Sequence, residues 1–426
     1  MTDPATTMSR SMYCRGCGYQ LAGLSENRCP ECVRSFDPAN HRSFHRHPPR
    51  HWLVQWLYRA EILVLVLATL CGATLGWAYL GWREEQPLIA ALRQTGAGVH
   101  ARWSGPYWLY RLLYQANLLG SGMDSALWYL PQRADIVTIQ SRTLTGEALH
   151  HLTRLRHLVR LEIDGGRISD SVLTQMGRLR LRSLSLRRVR VTDVELRALL
   201  ACEPESLELD LTETKDADLV AMEQATGVTS LTISRTPITD AGLAHLANLK
   251  NLEDIHLMAT EVTGGGLRHI ANLPKLRWIS VLYTPLTDEG LAAIRNAKKL
   301  RFLDLTGTGI TDAGLRDLRD LTDLQSLGLD RTRITDAGIK FLQGLDRLEQ
   351  LDLCTTQVTD GAVQFLVNLP SLWSLDISET AISDDGLQRL AGMKSLLSLT
   401  AHDTRVSEEG FRLLRAKRPD LNACCP

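Results

Sequence analysis

From Ser230 to the C-terminus the chain repeats itself every 24 residues: threonines stand at Thr236, Thr260, Thr284, Thr308, Thr332, Thr356, Thr380 and Thr404. A fixed period of this size marks a solenoid, propeller or array, because each unit is one supersecondary element that cannot bury its apolar side alone. The repeat settles the architecture before any local reading does. It also turns attention from enclosed pockets to surfaces.

One unit reads Leu300-x-x-Leu303-x-Leu305-x-x-Thr308-x-Ile310-Thr311-Asp312-x-Gly314-Leu315, followed by leucines at Leu318, Leu321 and Leu324. The alternating Leu-x-Leu predicts a short strand with one buried face. Thr308 closes the strand, where its hydroxyl is expected to bond the turn backbone of the neighbouring coil. Thr311-Asp312 carries a helix N-cap signal, and Leu315 and Leu318 give the short helix that follows an apolar side. The turn recurs as Ile238-Thr239-Asp240-Ala241-Gly242-Leu243 and Ile334-Thr335-Asp336-Ala337-Gly338-Ile339, and weakens to Val406-Ser407-Glu408. Degraded copies surround Thr145, Ser169, Thr192 and Lys215, with some spacings contracted to 23. The unit resembles the leucine-rich repeats of the ribonuclease-inhibitor-like and cysteine-containing subfamilies, with Thr where many repeats carry Asn. That resemblance implies an α/β horseshoe of about twelve coils over residues 135–426, its strands ~4.8 Å apart in one parallel sheet. Fold of this kind does not by itself imply function.

At the other end stand Cys14-Arg15-Gly16-Cys17 and, eleven residues on, Cys29-Pro30-Glu31-Cys32. Two Cys-x-x-Cys knuckles can present four thiolates to one tetrahedral ion. Cys17-Gly18-Tyr19-Gln20-Leu21-Ala22-Gly23-Leu24 is similar to the zinc-ribbon signature, although Val33 replaces the glycine that usually follows the last cysteine. Structural zinc is therefore expected within a module spanning residues 1–40. Iron in a rubredoxin-like site, and four buried or disulfide-paired cysteines, are the other readings. All four positions are protein ligands, which leaves no open place for a catalytic water.

Residues 61–82 predict a single membrane span. Ile62–Trp82 holds no charge, and 21 residues cover ~31 Å of hydrocarbon. Trp52, Trp56 and Tyr58 precede the run and Trp77, Tyr79 and Trp82 end it, as an interfacial belt would. Gly72 and Gly76 form a small-x-x-x-small pair through which two helices can meet as a homodimer. The run begins too deep in the chain for a signal peptide. A buried soluble helix is the bland alternative. Arg42, Arg46, Arg50 and Arg59 precede the span without an acid in residues 41–60, while Arg83, Glu84 and Glu85 follow it. The positive-inside bias then places the N-terminus in the cytoplasm and the repeats outside, in a topology suited to a bacterial inner membrane.

With 48 basic and 48 acidic residues, no global field steers the chain toward nucleic acid. His41, His45, His47 and His51 fall in the basic juxtamembrane linker, residues 41–60, and read more simply as lipid-facing than as a second metal site. Residues 83–134 break the repeat and predict a membrane-proximal collar or a cap over the solenoid's first coil. Arg412, Arg415, Lys417 and Arg418 predict a polar outer face for the last helix, and Cys424-Cys425 a frayed tail.

Strand residues between the buried leucines point to the concave side of the sheet. There Trp278, Leu282 and Phe302 predict an apolar anchor on adjacent strands, beside an acidic track of Asp304, Asp330, Asp352 and Asp376. An anchor bordered by charge suits a protein partner; solvated strand faces are the alternative. Asp254 with His256, or Asp376 with His402, are the pairs an acid–base mechanism would use. No nucleophile, oxyanion donor, phosphate-binding loop or HExxH motif accompanies them, and no enzyme is expected. The domain order resembles that of bacterial proteins joining a zinc ribbon, a span and such repeats. The function expected is a membrane-anchored protein–protein interaction scaffold. A single-pass receptor signalling through a Gly72/Gly76 dimer is the first rival. Nucleic-acid binding by the ribbon through Arg15, Arg28, Arg34, Tyr13, Tyr19 and Phe36 is the second.

Overall fold

The structure, a computed structural model, describes residues 12–17, 19–22, 24, 26–40, 42–45, 83–103, 132–140, 146–155 and 157–424. They fall in two compact units, one around the cysteine motif and one containing residues 82–103 and 132–426.

The larger unit is a repeat solenoid. Its sheet has 14 strands laid down in sequence order, the last twelve connections parallel and the first antiparallel. Each coil places the first leucine of its Leu-x-Leu pattern inward: Leu303, Leu327, Leu351 and Leu375 are level in register, and all are buried. Helices cover the other side of these leucines. Among the described residues, twelve coils of strand plus helix run from Gln132 to Lys417, and the strand Asn422–Cys424 closes the sheet. The leucines at three-residue steps give each helix a tight second half. Asp312–Leu315 is α-helical and Arg316–Leu318 is 3-10, in which residues three apart lie one above another. The coils of Asp216–Gln224, Gly242–Leu246 and Gly265–His269 are 3-10 throughout.

Two features correct the expected role of the repeat's polar residues. Thr308 does not reach the neighbouring coil: its Oγ1 donates to Leu305 O in its own turn at 2.6 Å, and Thr332, Thr356 and Thr380 do the same. The hydroxyl sits three residues past a carbonyl that also accepts from the Thr308 amide at 3.2 Å, so the local acceptor is within easy reach. The bond between coils comes instead from the aspartate of the Thr-Asp turn. Asp312 accepts from the amide and hydroxyl of Thr335 at 2.8 and 2.6 Å, and Asp288, Asp336, Asp360 and Asp384 repeat that contact with the next coil. The glycine two residues on makes room: a Cβ at Gly338 would meet Asp312 Oδ1 at 2.3 Å. Between Asp216 and Ser407 the ladder breaks once, where Gly264 takes the aspartate's place and the Thr287 amide turns to Thr263 O at 3.3 Å.

A second device was invisible in the sequence. The residue just past each strand segment adopts left-handed backbone, with φ from 51 to 54° at Arg235, Ala259, Tyr283, Arg331, Thr355, Glu379 and Asp403. That conformation aims its amide at the next coil, as in Arg331 N to Cys354 O at 3.1 Å and Thr355 N to Ser378 O at 2.9 Å. Only Gly307 (φ 69°) announces the position by residue type.

The ends are capped. Residues 83–94 are helical and bury Leu88, Ile89 and Leu92 in the solenoid core; the strand Gly98–Trp103 then pairs antiparallel with Gln132–Gln140. Of the segment expected as collar or cap, residues 104–131, with the apolar run Trp108–Leu119, lie outside the described residues. At the C-terminus Arg418 turns inward rather than outward. Its guanidinium donates to Met393 O and Leu396 O at 2.5 and 2.8 Å and pairs with Asp420. Cys424 is no frayed tail either, since it lies level with Thr400 in the closing strand.

The small unit is two knuckles on a short hairpin. Tyr13–Cys14 pairs antiparallel with Phe44–His45, so residues 42–45 belong to the ribbon and not to the linker in which the sequence placed them. Leu21, Phe36 and Phe44 form its core with Cys14 and Cys29. Among the described residues no helix is long and apolar enough to cross a membrane. The expected span Ile62–Trp82, its Gly72/Gly76 face and its flanking aromatics lie outside those residues.

Candidate functional sites

The four cysteines converge. The sulfur atoms of Cys14, Cys17, Cys29 and Cys32 all lie within 4.8 Å of one another. Cys14 and Cys32 are 3.4 Å apart, as are Cys17 and Cys29, far beyond a disulfide bond, and all four are free thiols. A tetrahedral ion with ~2.3 Å bonds to sulfur needs sulfurs ~3.8 Å apart, which these separations bracket. Backbone places them: the Cys14 amide bonds Tyr19 O and the Cys29 amide bonds Arg34 O, closing one turn around each pair. The Gly16 amide points at Cys14 Sγ, at 3.3 Å. Burial pushes the Cys14 thiol up, but the amides of Cys17 and Gly16 and the neighbouring thiols outweigh it and bring it to about 6. Burial and the crowding of Cys29, Cys32 and Cys14 push Cys17 up to about 12. The Cys14 thiolate forms readily while Cys17 resists, as expected of neighbouring ligands that await a cation. The donor set and spacing fit a four-sulfur metal site and suit zinc. Val33 takes the glycine's place with φ 59°, fully in the left-handed region, and its amide still reaches Cys29 O.

On the solvent-facing side of the solenoid sheet, strand register decides which predicted residues meet. Trp278 lies level with Asp254 on one side and Phe302 on the other. The two rings stack, with centroids 4.9 Å apart, and Trp278 remains 38% exposed. Leu282 does not complete the anchor. It lies four residues along its own strand from Trp278, ~13 Å away, whereas the adjacent strand is only ~4.8 Å off. His256 takes that place, its ring edge-on to Trp278 at 5.2 Å. The composition signal that picks out Trp and Phe passes over this histidine.

The acidic track also divides. Asp304, Gly328, Asp352 and Asp376 form one row in register, which continues to Thr400 and Cys424. Asp330 lies two residues further along, in the next row with Thr306 and Cys354. The carboxylates still feel one another. Burial pushes Asp352 above the usual carboxylate range, and Asp376, Asp330 and Asp304 add to the push. Together Trp278, Phe302, Asp304, Asp352 and Asp376 line a groove of about 450 Å³, open along the strand ends and floored at Gly328. Gly328 has a packing reason: a Cβ there would meet Asp304 Oδ1 at 2.7 Å. Asp330 Oδ1 and Ser280 Oγ are buried without a hydrogen-bond partner among the described residues. A second hollow, of about 510 Å³, is lined by Arg197, Glu203, Pro204, Glu205 and Ala225.

The catalytic pairs fare differently. Asp254 and His256 are neighbours on one strand; burial raises the first and lowers the second, so both favour the neutral form. Asp376 and His402 are on adjacent strands but in different rows, and the His402 amide bonds Ser378 Oγ.

The comparisons with known proteins agree with the architecture. A family model described as Leucine Rich repeat matches residues 296–318 and 368–391. No curated protein matches the chain. Among solved structures, an internalin (inlF) from Listeria monocytogenes is similar at 20% identity and a TM-score of 0.53, over 68% of this chain and 86% of that one. A complex of Latrophilin 3, Unc5D and FLRT2, the last contributing a leucine-rich-repeat part, is similar at 17% identity and a TM-score of 0.46, over 63% of this chain and 84% of that one; at that score the likeness bears on nothing further. Residues 296–318 and 368–391 are thus similar to leucine-rich repeats, and the coils that begin at Gln132 share the strand-and-helix fold of such repeats.

Proposed function

We propose that the chain is a membrane-anchored scaffold that binds a protein partner on the solvent-facing side of its repeat sheet. The carrying observation is the Trp278–Phe302 stack, a pair of aromatic rings held edge by edge with His256 on an unpartnered sheet face. A stacked pair that stays exposed is the kind of anchor on which interface energy concentrates. The uncharged run Ile62–Trp82 and the arginines before it support anchoring by one span, with the ribbon inside the cell and the repeats outside. The four sulfurs support zinc as a structural ion, with iron the other candidate for the same ligands. Chelation of the metal in the full chain should unfold residues 12–45, seen as loss of protease protection there, and leave the repeats' melting unchanged. A ribbon equally protected without metal would remove zinc's structural role.

A photoreactive side chain at Ser326, in the groove, tests the binding reading in intact cells. Specific crosslinked proteins should form there, be absent when the probe sits at Gln364 on a covering helix, and vanish in Trp278→Ala. The same products from both positions would contradict the reading.

A further inference from the structure

We propose that the groove beside Trp278 receives an extended, arginine-bearing segment of the partner protein, with one guanidinium over the Trp278 ring and further ones along the Asp304–Asp352–Asp376 row. This rests on the binding reading above and names its partner chemistry.

Charge comes first. Three carboxylates, those of Asp304, Asp352 and Asp376, line the groove, and Asp330 lies close enough to add to their push on Asp352. Among the described residues the one cation beside them is Arg331, 3.7 Å from Asp330 Oδ2 and committed to the Tyr283 hydroxyl at 2.8 Å. The rest of the chain balances its charges, so this local excess is placed and not an overall tendency. Asp330 Oδ1 is buried and unpaired, and Asp352 is held above the usual carboxylate range by burial and by its acidic neighbours. A donor-rich cation in the groove relieves the second.

A divalent ion does not fit. Among the described residues the cysteines alone bring ligand atoms close enough to share one ion. The acid row instead steps from strand to strand, with Gly328 leaving a gap between Asp304 and Asp352. From Trp278 to Asp376 is four strand steps, ~19 Å, the reach of about six extended residues. Side chains on one face of such a segment recur every ~7 Å, which suits cations spaced along the row. The aromatic end selects arginine over lysine. A planar guanidinium stacks on an indole face and presents paired donors to a carboxylate, which a compact ammonium does not.

The test is a random-peptide library displayed on phage and selected on the full chain. Selected peptides should be enriched in arginine. A synthetic copy of the most enriched one should lose affinity on the order of tenfold in Asp352→Asn/Asp376→Asn, and comparably when its arginines are made citrulline. Trp278→Ala should weaken it too, and salt should weaken it steadily. Melting curves of the variants confirm that they are folded. Peptides that lack arginine, ignore the aspartate changes and yet depend on Trp278 would overturn the arginine inference and leave the binding reading standing. No enrichment, or binding indifferent to all three positions, would overturn both.

Discussion

At the scale of single residues, the groove stores a penalty that the unbound chain carries. Asp352 has its folded pKa raised above the ordinary carboxylate value, by burial first and then by Asp376, Asp330 and Asp304. A group raised in the fold supports the folded state below its unfolded pKa and loses that support as pH rises through the folded one. Asp352→Asn is therefore expected to raise the melting temperature at neutral pH, and the gain should shrink to nothing as the pH falls below the carboxylate range. A melting series across pH checks this; a gain that persists in acid would mean that packing, not charge, is responsible. Asn keeps the acceptor for the Cys354 amide, now bonded to Asp352 Oδ1 at 2.9 Å, so the comparison isolates the charge. Trp278, Phe302 and the aspartates were legible in the sequence because strand alternation alone sends them to one face. His256 was not, because its contact with Trp278 is diagonal across two strands and depends on register. Leu282 misled for the same reason: alternation gives the face but not which of its residues are neighbours.

At the scale of the element, coils from Asp216 on are tied to the next, except at Gly264, by an aspartate on the threonine turn, and a left-handed residue after the strand adds a second tie. The turn read in the sequence as a helix cap, and Thr311 does cap, accepting from the Ala313 amide at 3.3 Å. The larger role of Asp312 lies 23 residues away, out of reach of any local reading. Asp312→Ala removes a carboxylate that holds two groups of the next coil. Its cost is expected at about 2 kcal/mol, the scale of a hydrogen-bonded charge. In a quasi-one-dimensional repeat that loss should appear as local opening of adjoining coils before global unfolding. Hydrogen exchange at Thr335 reads it; unchanged protection there would mean the ladder carries no stability. The break at Gly264 cannot be mended by restoring Asp, because a Cβ there would sit 2.4 Å from Leu286 Cδ1 and 2.6 Å from Gly290 Cα. The two coils approach too closely for a side chain, which explains why this turn alone reads Thr263-Gly264-Gly265-Gly266.

At the scale of the molecule, the 24-residue period carried the whole solenoid, because a repeat multiplies one weak local signal into a register that only stacking satisfies. Its caps were harder to read. The N-terminal cap is a helix and an antiparallel strand with no repeat pattern, and the C-terminal one depends on Arg418 folding back onto three carbonyls. The cysteine spacing carried the metal site but not the ribbon's extent, since Phe44–His45 pairs with Tyr13–Cys14 across a gap that no motif marks. What the repeat left open is which stretch of a long sheet binds. The groove answers with one aromatic stack and one row of acids. Hydroxyl-radical footprinting of Trp278 in intact cells against the purified chain tests this claim most directly, with Trp373, 37% exposed and outside the groove lining, as the internal reference. The account predicts that Trp278 oxidises more slowly in cells while Trp373 is unchanged. Equal oxidation of Trp278 in both settings would show the face uncovered and contradict it.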